Sequence, residues 1–71
     1  MMVDQELIIQ ALVRTVQASE DPRGQLWERL TNLVRDELKL TIEEIHAAIL
    51  EAVDQVRLID NCSGWLSLPN P

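Results

Sequence analysis

The sequence predicts a mainly α-helical fold, an all-α domain of three helices with a short C-terminal extended arm or β-hairpin. Apolar residues recur at intervals of three and four along three stretches, the spacing that keeps them on one face of a helix. Turn-forming residues separate these stretches. The chain has 71 residues, 46% of them hydrophobic, which suits one domain. We therefore expect a single domain over residues 1–71, with helices at about 4–18, 22–38 and 42–59 and the arm at 60–71.

The first helix is predicted from its start signal and its apolar pattern. Asp4 has the acceptor side chain of an N-cap, and Glu6 falls in the first turn, where the helix dipole favours negative charge. The apolar residues span an arc of about 240°, wider than a helix needs to face a core on one side. They are Leu7, Ile8, Ile9, Ala11, Leu12, Val13 and Val16. The helix therefore either sits between two neighbours or buries its second face in another subunit.

The second helix is predicted to begin at the Asp-Pro pair. Asp21 as N-cap with Pro22 at the first helical position is a recognised helix start. The apolar residues that follow lie within about 140° of one another, a normal one-sided stripe. They are Leu26, Trp27, Leu30, Leu33, Val34 and Leu38. Because the chain has no Phe or Tyr and two Trp, we expect an aliphatic core anchored by Trp27.

The third helix has the clearest start signal. In a capping box, Thr41 accepts from the amide of Glu44 and the Glu44 side chain reaches back to the amide of Thr41. The apolar stripe then continues without a slip through Ile42, Ile45, Ile49, Ala52, Val56 and Ile59. Only Lys39 and Leu40 separate this helix from the second, so we expect the two helices to be neighbours in space.

The segment after Ile59 has two interpretations. Turn formers at 60–64 precede a short segment of alternating apolar residues. In the first interpretation the helix persists to Ile59 and the tail folds back as an arm. In the second the helix ends near Gln55, and residues 56–60 pair with 64–68 as a β-hairpin. The unbroken apolar stripe favours the first.

The charge balance restricts the partners. Twelve acidic residues against six basic ones give a net charge of −6. Nucleic acids and anionic membrane surfaces attract basic segments, so both are disfavoured as partners. A basic protein surface is complementary. The sequence has no signal-peptide pattern, no apolar run of membrane length and a single cysteine, so we expect a cytoplasmic location.

No residue pattern predicts an enzyme, a cofactor site or a metal site. His46 is the only histidine, and no Ser, Thr or Cys lies one helical turn away to be activated, so we interpret it as structural. Cys62 follows the negative end of a helix and lies near Asp60, which disfavours a reactive thiolate. A lone Cys with a lone His is also a poor metal site.

These features favour a small acidic non-enzymatic protein-interaction module. We expect an adaptor or regulator that acts as a homodimer or docks on a larger partner. The first helix and the segment after the turn formers offer more apolar surface than the third helix can cover. The expected interface comprises the apolar residues of both segments, namely Ile8, Ile9, Leu12, Val13, Val16, Trp65, Leu66 and Leu68.

Two alternative functions remain open. Three helices, a tight turn between the second and third, and a terminal hairpin would match a winged-helix-like fold and a DNA-binding transcription regulator. The charges oppose that function, because the helix that would enter the DNA groove carries four acidic residues and only one arginine, Arg57. The other alternative is an inhibitor whose carboxylates occupy the nucleic-acid-binding groove of a basic partner.

Overall fold

Three helices and a small antiparallel sheet make up the fold. The computed structural model describes residues 4–61 and 64–69. Its elements, in chain order, are α1 (Gln5–Gln17), β1 (Gln25–Leu26), α2 (Trp27–Leu38), α3 (Ile42–Asp54), β2 (Ile59–Asp60) and β3 (Trp65–Ser67). The predicted mainly helical fold with three helices and a C-terminal β-hairpin is confirmed.

Helix α1 begins and ends where its sequence predicts. Asp4 caps it by accepting a hydrogen bond from the backbone N–H of Glu6 at 3.0 Å. The helix packs against both α2 and α3. Its buried residues accordingly cover two sides, and they are Ile8, Ile9, Ala11, Leu12 and Val16. The wide apolar arc is therefore explained by a position between two neighbours within the same chain.

Helix α2 begins at Trp27, so the predicted start at residue 22 is wrong. Asp21 caps a turn instead, in which its carbonyl accepts from the N–H of Gly24 at 2.9 Å and its side chain accepts from the N–H of Arg23. Gln25 and Leu26 then form β1, which pairs with the C-terminal strand β3. This pairing with residues distant in sequence prevails over the local Asp-Pro helix signal.

Helix α3 begins with the predicted capping box of Thr41 and Glu44. It ends at Asp54, so the predicted extension to Ile59 is wrong. The end is a Schellman motif, in which Val56 has φ of +59° and donates its N–H to Val53 O at 3.0 Å. The next residue donates to Ala52 O at 2.8 Å. Glycine usually occupies the left-handed position, so a valine there gives no stop signal in the sequence.

The three strands form one sheet with β3 in the middle. The strand order is β1-β3-β2, and both pairs are antiparallel. Leu66 lies opposite Gln25 on one side and Asp60 on the other. The β-hairpin of β2 and β3 replaces the helix end and arm that the apolar stripe favoured. The three helices and the terminal hairpin are the features expected of the winged-helix-like alternative, and β1 is a further strand that the sequence did not predict.

The core is aliphatic and draws on every part of the fold. Its fully buried large side chains are Ile9, Leu12, Leu30, Val34, Ile45, Ile49, Leu58 and Leu66. Trp27 packs against this cluster from its edge and stays partly exposed. Because Leu58 follows α3 and Leu66 lies in β3, the C-terminal segment completes the core between the helices.

Candidate protein-binding surface of α2 and α3

Most of the residues predicted to form an interface belong to the chain's own core. Each of these side chains is at most 5% exposed: Ile8, Ile9, Leu12, Val16 and Leu66. A partner cannot contact them while the chain is folded, so their assignment to an interface is corrected. The physical reason is that α1 packs against both α2 and α3, and that Leu66 enters the same core from β3. Of the α1 residues predicted for the interface, Val13 alone stays partly exposed.

The other three predicted interface residues are half-buried. Val13 and Leu68 pack against the edge of the core. The guanidinium of Arg23 lies over the Trp65 ring, 4.2 Å from its centroid, a cation–π geometry. Arg23 also donates two hydrogen bonds to Asp21, at 3.0 and 3.1 Å, which lower the pKa of that carboxyl. The Trp65 ring is therefore covered by the Arg23 side chain, which is also paired with Asp21.

Helix α3 exposes two large aliphatic side chains on a side that the sequence analysis did not assign to an interface. Ile42, His46 and Leu50 are spaced four residues apart, so they share one side of the helix. Ile42 is 44% exposed and Leu50 is 62% exposed. The spacing was visible in the sequence, but Ile42 had been placed in the buried stripe. Which side faces the core became clear only from the packing of α1 and α2.

The rest of the exposed surface of α3 is acidic. Glu43, Glu44, Glu51 and Asp54 lie on this helix, and it contains no Lys or Arg. Among residues 4–61 and 64–69, none of these carboxylates has a basic group within 4.0 Å. Glu44 is used in the capping box, and Glu51 accepts a hydrogen bond from the neutral Gln55 side chain at 2.9 Å. The negative charge of α3 is therefore not neutralised within the described chain.

The basic residues are largely paired elsewhere. Four of the six form ion pairs: Arg14 with Glu37, Arg23 with Asp21, Arg35 with Asp36 and Arg57 with Glu6. The Arg57–Glu6 pair, at 2.6 Å, lowers the pKa of the Glu6 carboxyl and raises the pKa of the guanidinium. Within the described ranges, Arg29 and Lys39 alone lack a carboxylate partner.

A cleft of about 360 Å³ opens between α2 and α3. Its lining is Trp27, Glu28, Thr31, Asn32, Ile42 and His46. The Trp27 and His46 rings meet edge to face, with centroids 5.6 Å apart and planes at 71°. Thr31 is buried, and its Oγ1 has no hydrogen-bond partner in the part of the chain that the structure describes. The cleft is thus mainly apolar, with a carboxylate at one edge.

A second, shallower depression lies on the other side of α2. It is lined by Leu26, Glu28, Arg29, Asn32, Leu33 and Asp36. Glu28 and Asn32 line both depressions, so the two form one continuous surface. We call this region, together with the exposed side of α3, the α2–α3 surface. It combines exposed Leu and Ile side chains with carboxylates.

The described ranges, residues 4–61 and 64–69, hold no metal-binding cluster. No three His, Cys, Asp or Glu side chains there come together to hold a metal ion. His46 contacts the ring of Trp27, and the Thr31 hydroxyl that lines the same cleft makes no hydrogen bond to it. Cys62, whose thiol was interpreted as unreactive, lies outside the described residues. None of the helices found in residues 4–61 and 64–69 has the length and apolar character needed to cross a membrane.

Comparisons with known proteins give no further assignment. No family model, no characterised protein and no solved structure matches the chain.

Proposed function

We propose that the chain is a winged-helix-like protein-interaction module, a non-enzymatic adaptor or regulator that binds protein and not DNA. The observation that carries this proposal is the charge of α3. In a helix-turn-helix the second helix enters the major groove. Here that helix presents four carboxylates without basic partners, beside exposed apolar side chains. Such a surface suits contact with another protein.

DNA binding is disfavoured by the distribution of charge on the whole surface. Affinity for duplex DNA comes largely from Lys and Arg that neutralise phosphates. Arg29 and Lys39 are the two cations that stay unpaired in the described ranges, and both belong to α2 or its C-cap. A groove that accepted α3 would bring phosphates close to Glu43 and Asp54, with no cation of α3 to balance them.

The second candidate, a DNA-binding regulator, is favoured by the order of the elements alone. Fluorescence anisotropy with labelled duplex DNA at about 50 mM salt tests it, since electrostatic binding is strongest at low salt. We expect no change in anisotropy on adding the protein. Salt-sensitive binding to the duplex would overturn the proposed function.

A pair of charge variants tests protein binding directly. In E43Q/D54N, two carboxylates of α3 are neutralised; in E20Q/E37Q, the same charge change is made away from α3, where it also releases Arg14 from its pair with Glu37. Each is immobilised beside the unmodified protein, and material retained from its native cell is identified. We expect specific proteins to bind the unmodified chain and E20Q/E37Q and to be lost from E43Q/D54N. Equal retention by both variants, or recovery of nucleic acid in place of protein, would contradict the proposal.

The narrower hypothesis, an inhibitor of a nucleic-acid-binding groove, stays a prediction. It requires that the retained proteins themselves bind nucleic acid and that the complex dissociates at high salt, because its contacts would be ionic. The same retention experiment, repeated in high salt, tests both requirements.

A further inference from the structure

The cleft between α2 and α3 is already formed in the free chain. Trp27 and Ile42 contribute apolar surface from the two helices, and the Trp27 ring meets His46 edge to face. Its volume of about 360 Å³ is near the lower end of the range for ligand-binding clefts. A groove between two packed helices with an apolar lining is typical of sites that accept side chains of an amphipathic helix.

The charges around the cleft define what can occupy it. Glu28 lines it directly. Glu43 is three residues from His46 and therefore lies beside it on the surface of α3. Neither carboxylate has a basic partner within 4.0 Å in the described ranges. An occupant with Lys or Arg next to its apolar residues would be complementary to both.

We infer that this cleft is the docking site for a basic amphipathic helix of a partner protein. One apolar side chain of that helix inserts beside Trp27 and Ile42, and its Lys or Arg residues pair with Glu28 and Glu43. A second copy of this chain is a poorer occupant, because its own α3 is acidic and its net charge is −6. The inference rests on the proposed function and names the partner's chemistry.

Three synthetic peptides of identical length test the docking site. The first has Leu at helical spacing with Lys at the remaining positions, the second has Glu in place of Lys, and the third is a scrambled form of the first. Each is titrated into the full isotope-labelled chain while its amide and indole NMR signals are followed. The W65F variant assigns the two indole N–H signals, because the chain has two Trp.

We expect the first peptide to shift the indole signal of Trp27 in a saturable way and to leave that of Trp65 in place. The acidic peptide should not bind. The scrambled peptide has the same charge but lacks a continuous apolar face, so its binding should be weaker by a factor of about ten or more. Equal binding of the first and scrambled peptides would overturn the inference, as would shifts confined to residues outside the cleft.

A matched pair of variants locates the site. I42K places a cation in the cleft, whereas L7K makes the same change of charge at an exposed aliphatic residue of α1 that does not line it. We expect I42K to weaken binding of the first peptide by a factor of about ten or more and L7K by less than about threefold. Equal weakening by both variants would show that the peptide is attracted by the net charge of the chain and not by the cleft, which would overturn the inference.

The outcome separates this inference from the proposed function. Loss of peptide binding at Trp27, together with proteins retained by α3 in the native-cell experiment, would mean that the module binds proteins through another face. Binding of duplex DNA would instead overturn the proposed function itself.

Discussion

Gly24 lies against the backbone of β3, and the structure leaves no room for a Cβ at this position. Its φ is +96°, and a Cβ there would lie 2.8 Å from the carbonyl carbon of Leu66, 2.9 Å from Ser67 Cα, and closer still to Leu66 O. We expect G24A to separate β1 from β3 and to lower the free energy of unfolding by about 2 kcal/mol or more. Urea denaturation followed by circular dichroism measures this.

Gly64 provides the control for that prediction. Its φ is +86°, and among the described residues, its chain neighbours aside, no atom lies within 4 Å of the position of a Cβ. G64A therefore introduces backbone strain without a collision, at a cost of about 1–2 kcal/mol. A loss of stability in G24A no larger than in G64A would contradict the importance of the close approach to β3.

Thr31 offers a way to stabilise the chain. Its Oγ1 is buried without a hydrogen-bond partner in residues 4–61 and 64–69. T31V has nearly the same shape and removes the unsatisfied hydroxyl, so we expect an increase of about 1 kcal/mol in the free energy of unfolding. T15V is the control, because the Thr15 hydroxyl donates to Ala11 O at 2.8 Å and should not be improved by removal. A gain in both variants, or in T15V alone, would be inconsistent with this account.

At the scale of the element, the end of α3 contains a strained residue. Val56 has a left-handed backbone, which costs a residue with a Cβ about 1–2 kcal/mol and is most unfavourable for a β-branched side chain. We expect V56G to raise the thermal midpoint, corresponding to a net gain of about 0.5–1 kcal/mol after the added flexibility of glycine in the unfolded chain.

The neighbouring residue supplies the control for this helix end. Gln55 has φ of −81°, so Q55G relieves no strain and should lose stability. If V56G were also less stable than the unmodified protein, the left-handed conformation of Val56 would not be a significant source of strain.

The Glu6–Arg57 ion pair joins the first turn of α1 to the segment after α3. The guanidinium hydrogen bond lowers the pKa of Glu6 in the folded chain. A carboxyl with a lowered folded pKa stabilises the fold above its unfolded pKa, and this contribution is lost as the pH falls through the folded value. We expect E6Q to be less stable than the unmodified chain at neutral pH and to approach it as the pH falls below the ordinary range of a glutamate carboxyl.

Urea midpoints of both proteins across that range measure the effect, which solvent screening keeps small because both side chains are exposed. R57Q should give the same convergence, since it removes the other partner. A difference between E6Q and the unmodified chain that stayed constant with pH would exclude the ion pair as its cause.

Elements that depend on local signals could be predicted from the sequence, and those that depend on contacts between distant residues could not. The caps at Asp4 and Thr41 depend on neighbouring residues, so α1 and the start of α3 could be predicted. The start of α2 could not, because β1 forms only through pairing with β3. For the end of α3 the sequence left Gln55 and Ile59 open, and the apolar stripe favoured Ile59, because Val56 occupies a left-handed position where a glycine would have marked the end.

In the molecule as a whole, α1 packs against both α2 and α3 of its own chain. We therefore expect light scattering at micromolar concentration to give the monomer mass of 8.1 kDa. I42K serves as a control, because it removes exposed apolar surface from the α2–α3 surface without touching the core. A mass near twice 8.1 kDa in the unmodified chain alone would indicate self-association through that surface.

The candidate site was less predictable than the fold. The acidity of the chain could be recognised in the sequence, and it led to a protein partner as the hypothesis. The cleft could not be predicted from the sequence, since Trp27 and Ile42 come together only when α2 packs against α3. The same packing placed residues such as Ile9 in the core, where the sequence suggested an interface.

The position of β3 has a consequence for synthesis of the chain on the ribosome. Of the elements in residues 4–61 and 64–69, it comes last in sequence, and it is the middle strand of the sheet. While only the three helices have emerged, β1 lacks the strand with which it pairs, and Leu66 is missing from the core. Cotranslational folding therefore has to wait for the final strand, and the nascent helices expose aliphatic side chains that chaperones can recognise.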